Sequence, residues 1–340
     1  MVYINGIGFA LPKRYIDSHQ EDDHDQCDID KMIELGYDGV YAAQPSERET
    51  LIIEAVNTSL IEAEIHRNEI SCVVHCYSAT FEHLVENQSS RIRKLIDVPN
   101  AGYVHLDQGC NSSILALEYA HNRLRVDDTC SSVMILMYEF EAKPIYDRFK
   151  SFSSSVMSDG ACAVILTKRK SNLEVMATHI ISEGQYSEIW RLLGSGTEDF
   201  PKCKDVLRNL TIDVEKTGSA IFNDNKKKDK MFSVLIENNK NVYKNALTCA
   251  GVNKSDIDYL ITYNIGKKVY ENICAVLETP INKTSYACGK KYGHVGSSDV
   301  FINLKMSLHT LKSNKYRYIA LFSAGIGFSW GAGIIKYNNE

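Results

Sequence analysis

The residues best placed to do chemistry lie in Val104-His-Leu-Asp-Gln-Gly-Cys110-Asn-Ser-Ser-Ile-Leu-Ala-Leu-Glu-Tyr-Ala-His121. The stretch opens as a short apolar run and breaks at Gly109-Cys110. It resumes with Ile114, Leu115, Leu117 and Leu124 at helical spacing. This reads as strand, tight turn and buried helix, with Cys110 at or next to the helix start. A thiol there faces unpaired backbone N–H groups and the positive end of the helix dipole. Both favour thiolate, the form that attacks carbonyl carbon. The competing reading is a buried, inert cysteine. A second Gly-rich turn, Lys291-Tyr-Gly-His-Val-Gly-Ser-Ser-Asp-Val-Phe-Ile-Asn-Leu304, also enters an amphipathic helix and carries His294. Standing alone, His294 would read as a surface-loop histidine. Its pairing with Cys110 rests on the elements that carry the two turns.

Those elements form a repeat. Val2 to Leu11 reads as a first strand ending before Pro12, and residues 16–48 are polar and acidic with little periodicity. Glu49 to Ala63 has Leu51, Ile52, Ala55 and Leu60 at helical spacing. Ala63-Glu-Ile-His-Arg-Asn-Glu-Ile-Ser-Cys-Val-Val74 then predicts a helix end, a turn and a strand. The same pattern returns without gaps at Ala250-Gly-Val-Asn-Lys-Ser-Asp-Ile-Asp-Tyr-Leu-Ile261, after a helix over roughly Asn239 to Cys249. Ser131–Met137 matches Arg317–Phe322, and Ser158-Asp-Gly-Ala-Cys-Ala-Val-Ile165 matches Ser329-Trp-Gly-Ala-Gly-Ile-Ile335. A repeat this long signals duplication of a whole half, because solenoid periods are far shorter. Strands alternating with helices imply an α/β fold, and continuous apolar strands imply sheets covered on both faces. The halves divide at 1–170 and 171–340. Pseudo-twofold symmetry brings the two turns, and so Cys110 and His294, face to face.

Composition limits the function classes. The chain has 340 residues, 44% hydrophobic and 24% charged, with net charge −5. That suits a large core and argues against a nucleic-acid footprint. No run is long and apolar enough to span a membrane, and the N-terminus lacks a signal-peptide pattern, so a cytoplasmic protein is expected. The ten Cys include no CxxC pair, so neither a zinc site nor a redox motif is indicated, and the thiols are expected to be reduced. The Lys-rich run Asn225–Lys230 reads as a solvated loop, with a docking patch for an acidic carrier as the alternative.

Three motifs in order, the Gly-Cys turn at 109–110, Ser158-Asp-Gly-Ala161 and Gly325-Ile-Gly-Phe-Ser-Trp-Gly331, resemble the thiolase superfamily and specifically ketoacyl-acyl-carrier-protein synthase III. The likeness covers essentially the whole chain. It implies a five-layered α-β-α-β-α fold, usually homodimeric. It also implies that Cys110 holds an acyl group as a thioester, with an oxyanion hole from the N–H groups of Cys110 and Gly327. No resident cofactor or metal is implied, because the acyl group arrives on the phosphopantetheine of a carrier protein or coenzyme A.

The chain departs from the family pattern in two places. The family's Cys-His-Asn set reads Cys110-Tyr263-His294, which leaves His294, with Tyr263 or Asn264, to do what the family's His and Asn share. At Gly36-Tyr-Asp-Gly-Val-Tyr-Ala-Ala43, Asp38 and Val40 stand where relatives carry arginines that hold coenzyme A. An acyl carrier protein is therefore the favoured donor. The Gly-His turn followed by Gly-Ser-Ser-Asp also resembles a side branch of specialised metabolism that passes the acyl group to a hydroxyl or amine. Such transfer needs one general base near the thioester, the role that falls to His294. Tyr263 or Asn264 is expected to orient it, and Asp299 to serve its helix. Cys76, His75 and His83 border the acyl pocket and dimer interface of the family, with a second catalytic thiol at Cys76 disfavoured. Residues 180–230, with Trp190, Arg191 and Lys216, roof the family's tunnel. The leading expectation is ping-pong acyl transfer to a small-molecule amine or hydroxyl. The alternatives are a decarboxylative Claisen condensation giving a 3-oxoacyl product, and a non-catalytic partner subunit of a heteromeric synthase.

Overall fold

The structure, a computed structural model, describes residues 1–20, 25–77, 87–141, 146–190, 214–313 and 318–338. The first half runs β1 (Val2–Ala10), β2 (Arg14–Asp17), α1 (Gln26–Leu35), β3 (Gly39–Ala42), α2 (Arg48–Ala63), β4 (Cys72–Tyr77), α3 (Gln88–Ile96), β5 (Gly102–Leu106), α4 (Ser112–Val126), β6 (Ser132–Glu139) and β7 (Gly160–Thr167). The second runs β8 (Leu173–Ser182), α5 (Val214–Thr217), α6 (Ser219–Phe222), α7 (Asn225–Ala250), β9 (Tyr259–Thr262), α8 (Lys267–Val276), α9 (Tyr286–Gly289), α10 (Asp299–Ser313), β10 (Tyr318–Gly325) and β11 (Ser329–Tyr337).

Nine strands are hydrogen-bonded in the order β5-β4-β6-β7-β1-β8-β11-β10-β9. The join at β1–β8 spans only Val2, Tyr3 and Ile4 against Val175, Glu174 and Leu173. On either side of it lies a leaf of the same design, β4-β6-β7-β1 and β9-β10-β11-β8, with β5 added to the first. Where β5 would find its counterpart, Thr284 makes a single parallel bridge to Leu260.

Side-chain alternation along the strands produces five layers. On β6, Val133, Ile135 and Met137 face inward onto Ile114, Leu117 and Leu124 of α4 and Val300, Phe301 and Leu304 of α10. Met134, Leu136 and Tyr138 face outward onto Ile52, Ala55 and Val56 of α2 and Ile92 and Ile96 of α3. The second leaf repeats this, with Leu260, Phe322 and Ile334 against Tyr243, Leu247 and Ile273 of α7 and α8. Each such aliphatic side chain contributes roughly 1.5–3 kcal/mol on burial, which makes the central α4–α10 layer a rigid mount for whatever its helix N-termini carry.

The two repeat segments adopt the same local structure. α2 ends on Glu64 and α7 on Gly251, both in the left-handed conformation. Each is followed by a single 3-10 turn closed by a capping box, His66 with Glu69 and Asn253 with Asp256. Three details correct the sequence reading. Residues 16–48 hold order that the polar composition hid. The antiparallel β2–β3 pair and the α1 helix between them bury Ile16, Ile29, Met32, Tyr37 and Val40 in a small core with Phe149 and Val156. The second-half helix begins at Asn225, not near Asn239, so the Lys-rich run is its solvated first turns, with Asp224 accepting the N–H groups of Lys226 and Lys227. Among residues 180–230, Trp190 stacks on Phe152 at 6.0 Å and Lys216 is exposed on α5, whereas Arg191 lies outside the described residues.

Candidate active site

Cys110 lies just ahead of α4, whose cap is Asn111. Gly109 before it has φ +55°, and a Cβ there would fall 2.5 Å from Ile326 Cγ1. The Gly325–Gly327 turn thus lies directly against the Cys110 turn. Ser323 Oγ donates to the Cys110 carbonyl at 2.9 Å, and a Cβ on Gly325 would fall 2.1 Å from the Gln108 carbonyl. Gly327 adopts φ +83°, which glycine accepts without strain, and its Cβ position faces open space.

His294 arrives from the other half. Its N–H donates to the Val156 carbonyl at 3.0 Å, and the Ser158 N–H donates to its own carbonyl at 2.7 Å. The Ser158-Asp-Gly-Ala161 motif therefore fixes the histidine backbone. Asp159 completes that support through Arg148 at 2.8 Å and through the N–H groups of Ala43 and Glu141. Held this way, His294 Nε2 lies 2.9 Å from Cys110 Sγ. The thiol is half-buried and the imidazole buried.

Nδ1 of His294 meets Asp299 Oδ2 at 2.5 Å. Asp299 is the first residue of α10, and the 3-10 turn Gly296–Ser298 folds it back onto the histidine. Its oxygens also accept the Asn264 N–H and the Val295 N–H, each at 2.7 Å. Burial pushes the His294 pKa down, but the adjoining Cys110 sulfur and the Asp299 carboxylate outweigh it and hold the value well above the ordinary histidine range. The arrangement is a Cys-His-Asp chain. It corrects the assignment of Asp299 to the helix alone and of the orienting role to Tyr263 or Asn264. The signal lay five residues beyond His294, in a carboxylate at a helix start.

Asn264 faces elsewhere. Its Nδ2 donates to the Gly293 carbonyl at 2.6 Å and its Oδ1 accepts from Asn303 at 2.8 Å, while only its backbone reaches Asp299. Tyr263 does border the site, its ring centroid 6.2 Å from that of His294. Burial, then the neighbouring Cys110 and Asp299, push its pKa far up, so the phenol keeps its proton. Cys76 is fully buried, with Sγ donating to the Ser112 carbonyl at 3.5 Å, and burial raises its pKa strongly, as expected of an inert thiol. His75 is buried against Tyr138 and His105. His83 lies outside the described residues. Among the described residues no cluster of three His, Cys, Asp or Glu could hold a metal ion, and no helix is long and apolar enough to cross a membrane.

A five-layered, duplicated α/β architecture with a cysteine at the first central helix defines a thiolase-fold protein. Residues 104–184 match the 3-oxoacyl-[acyl-carrier-protein] synthase III family model, and residues 247–337 match its C-terminal model. The chain belongs to this family of synthase III-like enzymes. The β-ketoacyl-[acyl-carrier-protein] synthase III of Chlamydia pneumoniae is 18% identical over 321 residues, 91% of each chain. Among solved structures, the acyltransferase ChlB3 superposes with a TM-score of 0.83 at 18% identity, covering 99% of this chain and 97% of that one. The priming β-ketosynthase of the R1128 polyketide pathway superposes with a TM-score of 0.77 at 17% identity, covering 100% and 97%.

Proposed function

We propose that the chain transfers an acyl group in two steps through a Cys110 thioester, from an acyl carrier protein to a small-molecule amine or hydroxyl. The observation that carries this reading is the Cys110-His294-Asp299 chain, a nucleophile with one oriented base. In the first step His294 Nε2 takes the thiol proton and Sγ attacks the donor's carbonyl carbon. The N–H groups of Cys110 and Gly327 face the developing oxyanion, and the departing phosphopantetheine thiol leaves with the proton from His294. In the second step His294 takes the acceptor's proton, the acceptor oxygen or nitrogen attacks the thioester, and Cys110 leaves and regains its proton.

A carrier protein is favoured as donor because Asp38, where relatives hold coenzyme A with arginines, is paired with Lys290 at 2.8 Å. Relatives named for acyl carrier protein, and ChlB3 as an acyltransferase, point the same way. The competing C–C bond formation would require His294 and Tyr263 to hold an enolate between them. A partner subunit without activity would have no need of the oriented thiol. The deciding experiment supplies acyl-carrier protein together with either a panel of amines and alcohols or malonyl-carrier protein, and weighs the products. Ester or amide products with no carbon dioxide released support the proposal. A 3-oxoacyl product with carbon dioxide released overturns it in favour of condensation.

A further inference from the structure

Glu139 ends β6 on the inward-facing parity of Val133, Ile135 and Met137. Its side chain therefore enters the central layer, on the strand against which the Gly296–Ser298 turn that follows His294 packs. It is fully buried. One of its oxygens, Oε1, lies 2.8 Å from the Tyr146 hydroxyl, whose oxygen is also 2.7 Å from the Phe140 carbonyl. One hydroxyl proton cannot make both bonds at full strength, and a carbonyl can only accept. The consistent assignment is that Tyr146 donates to Phe140 and the protonated Glu139 Oε1 donates to Tyr146. Burial agrees, raising the Glu139 pKa to about 8 against the His294 charge.

The carboxylic acid so held presents Oε2 as a carbonyl-type acceptor. Oε2 is buried and has no hydrogen-bond partner among the described residues. Leaving such an atom unpaired is costly, and its strand packs on the turn that follows His294, so a donor brought by the substrate would satisfy it. We propose that Glu139 Oε2 accepts a hydrogen bond from the N–H or O–H of the acyl acceptor and so positions it for attack. This rests on the acyl-transfer reading above, and it selects nucleophiles that carry a polar hydrogen beyond the one His294 removes: primary amines, hydroxylamines and diols.

The test separates the two half-reactions. Cys110 is acylated from acyl-carrier protein, and the loss of the acyl group to hydroxylamine is followed by intact mass for wild type, Glu139→Leu and Glu139→Gln. Glutamine reproduces the neutral acid, with an N–H toward Tyr146 and a carbonyl toward the site. The expected result is that Glu139→Leu slows transfer at least about tenfold more than it slows acylation. Glu139→Gln restores transfer to within a few-fold of wild type. Should Glu139→Leu fail to acylate at all, the unbranched Glu139→Met is read in its place. Transfer by the apolar variant as fast as wild type overturns the assignment, and so does a glutamine variant as slow as leucine, which would mark an ionised base. A wild-type acyl-enzyme that passes its acyl group to no amine or alcohol overturns the acyl-transfer reading itself.

Discussion

Replacing Asp299 with Asn probes how much of the site's reactivity depends on orientation of the base. The carboxylate accepts from His294 Nδ1 and the Asn264 N–H on one oxygen and from the Val295 N–H on the other. An amide cannot accept at both positions. With its NH2 toward His294, the imidazole must carry its proton on Nε2 and cannot take one from Cys110. With its NH2 toward Val295, the histidine tautomer survives but a charge-assisted bond becomes a neutral one of about half the strength. The second case costs on the order of 1.4 kcal/mol, or about tenfold in acylation rate. The first reaches about 10⁴-fold, the loss seen when the equivalent change is made in a serine protease triad. Either orientation also sets a buried N–H against another donor, lowering stability by about 1–3 kcal/mol. Quenched-flow intact mass spectrometry of Cys110 acylation measures the rate, and ring-proton NMR follows His294. The rate is expected to fall at least about tenfold and the His294 titration to move to lower pH, because one of the two groups opposing its desolvation has lost its charge. Acylation within threefold of wild type with an unmoved titration would refute the reasoning.

Three further outcomes are expected. Glu139 keeps its proton in the folded state up to about pH 8, whereas the unfolded chain loses it near 4.5. Stability therefore falls as pH rises through that window, by at most about 1.4 kcal/mol per unit, and thermal melts should show Glu139→Gln gaining on wild type from pH 5 to pH 8. Arg148→Met strips a fully buried Asp159 of its 2.8 Å partner, and chemical denaturation should show a loss of about 3–5 kcal/mol. Gly325→Ala places a Cβ 2.1 Å from the Gln108 carbonyl. It should separate the two turns and slow acylation more than it lowers the melting temperature, as kinetics and calorimetry on the same sample would show.

The sequence carried the frame of the site because that frame is local and repeated. The Ala63–Val74 and Ala250–Ile261 segments each encode a left-handed helix end, a capping box and a strand within a dozen residues. Once the halves are recognised as equivalent, symmetry brings the Cys110 and His294 turns face to face, while the 2.9 Å contact itself depends on the side-chain rotamers and the loop that holds His294. The Asp299 contact was hidden because it depends on the 3-10 turn at Gly296–Ser298 turning the chain back, and a helical count from His294 would point the carboxylate elsewhere. Asn264 misled for the opposite reason. It lies next to Tyr263, but the following backbone turns its amide to Gly293 and Asn303. Glu139 lies beyond the apolar run Ser131–Met137 and drew no reading from the sequence, because its meaning comes from pleat parity and the Tyr146 proton count, neither of which has a sequence signature.

The most direct test of the central claim is the intact mass of the wild-type chain and of Cys110→Ala after incubation with acyl-carrier protein. The wild type is expected to gain one acyl group, mapped by peptide digestion to Cys110, and Cys110→Ala to gain none. No adduct on the wild type, or an equal adduct on Cys110→Ala, would contradict a Cys110 acyl-enzyme.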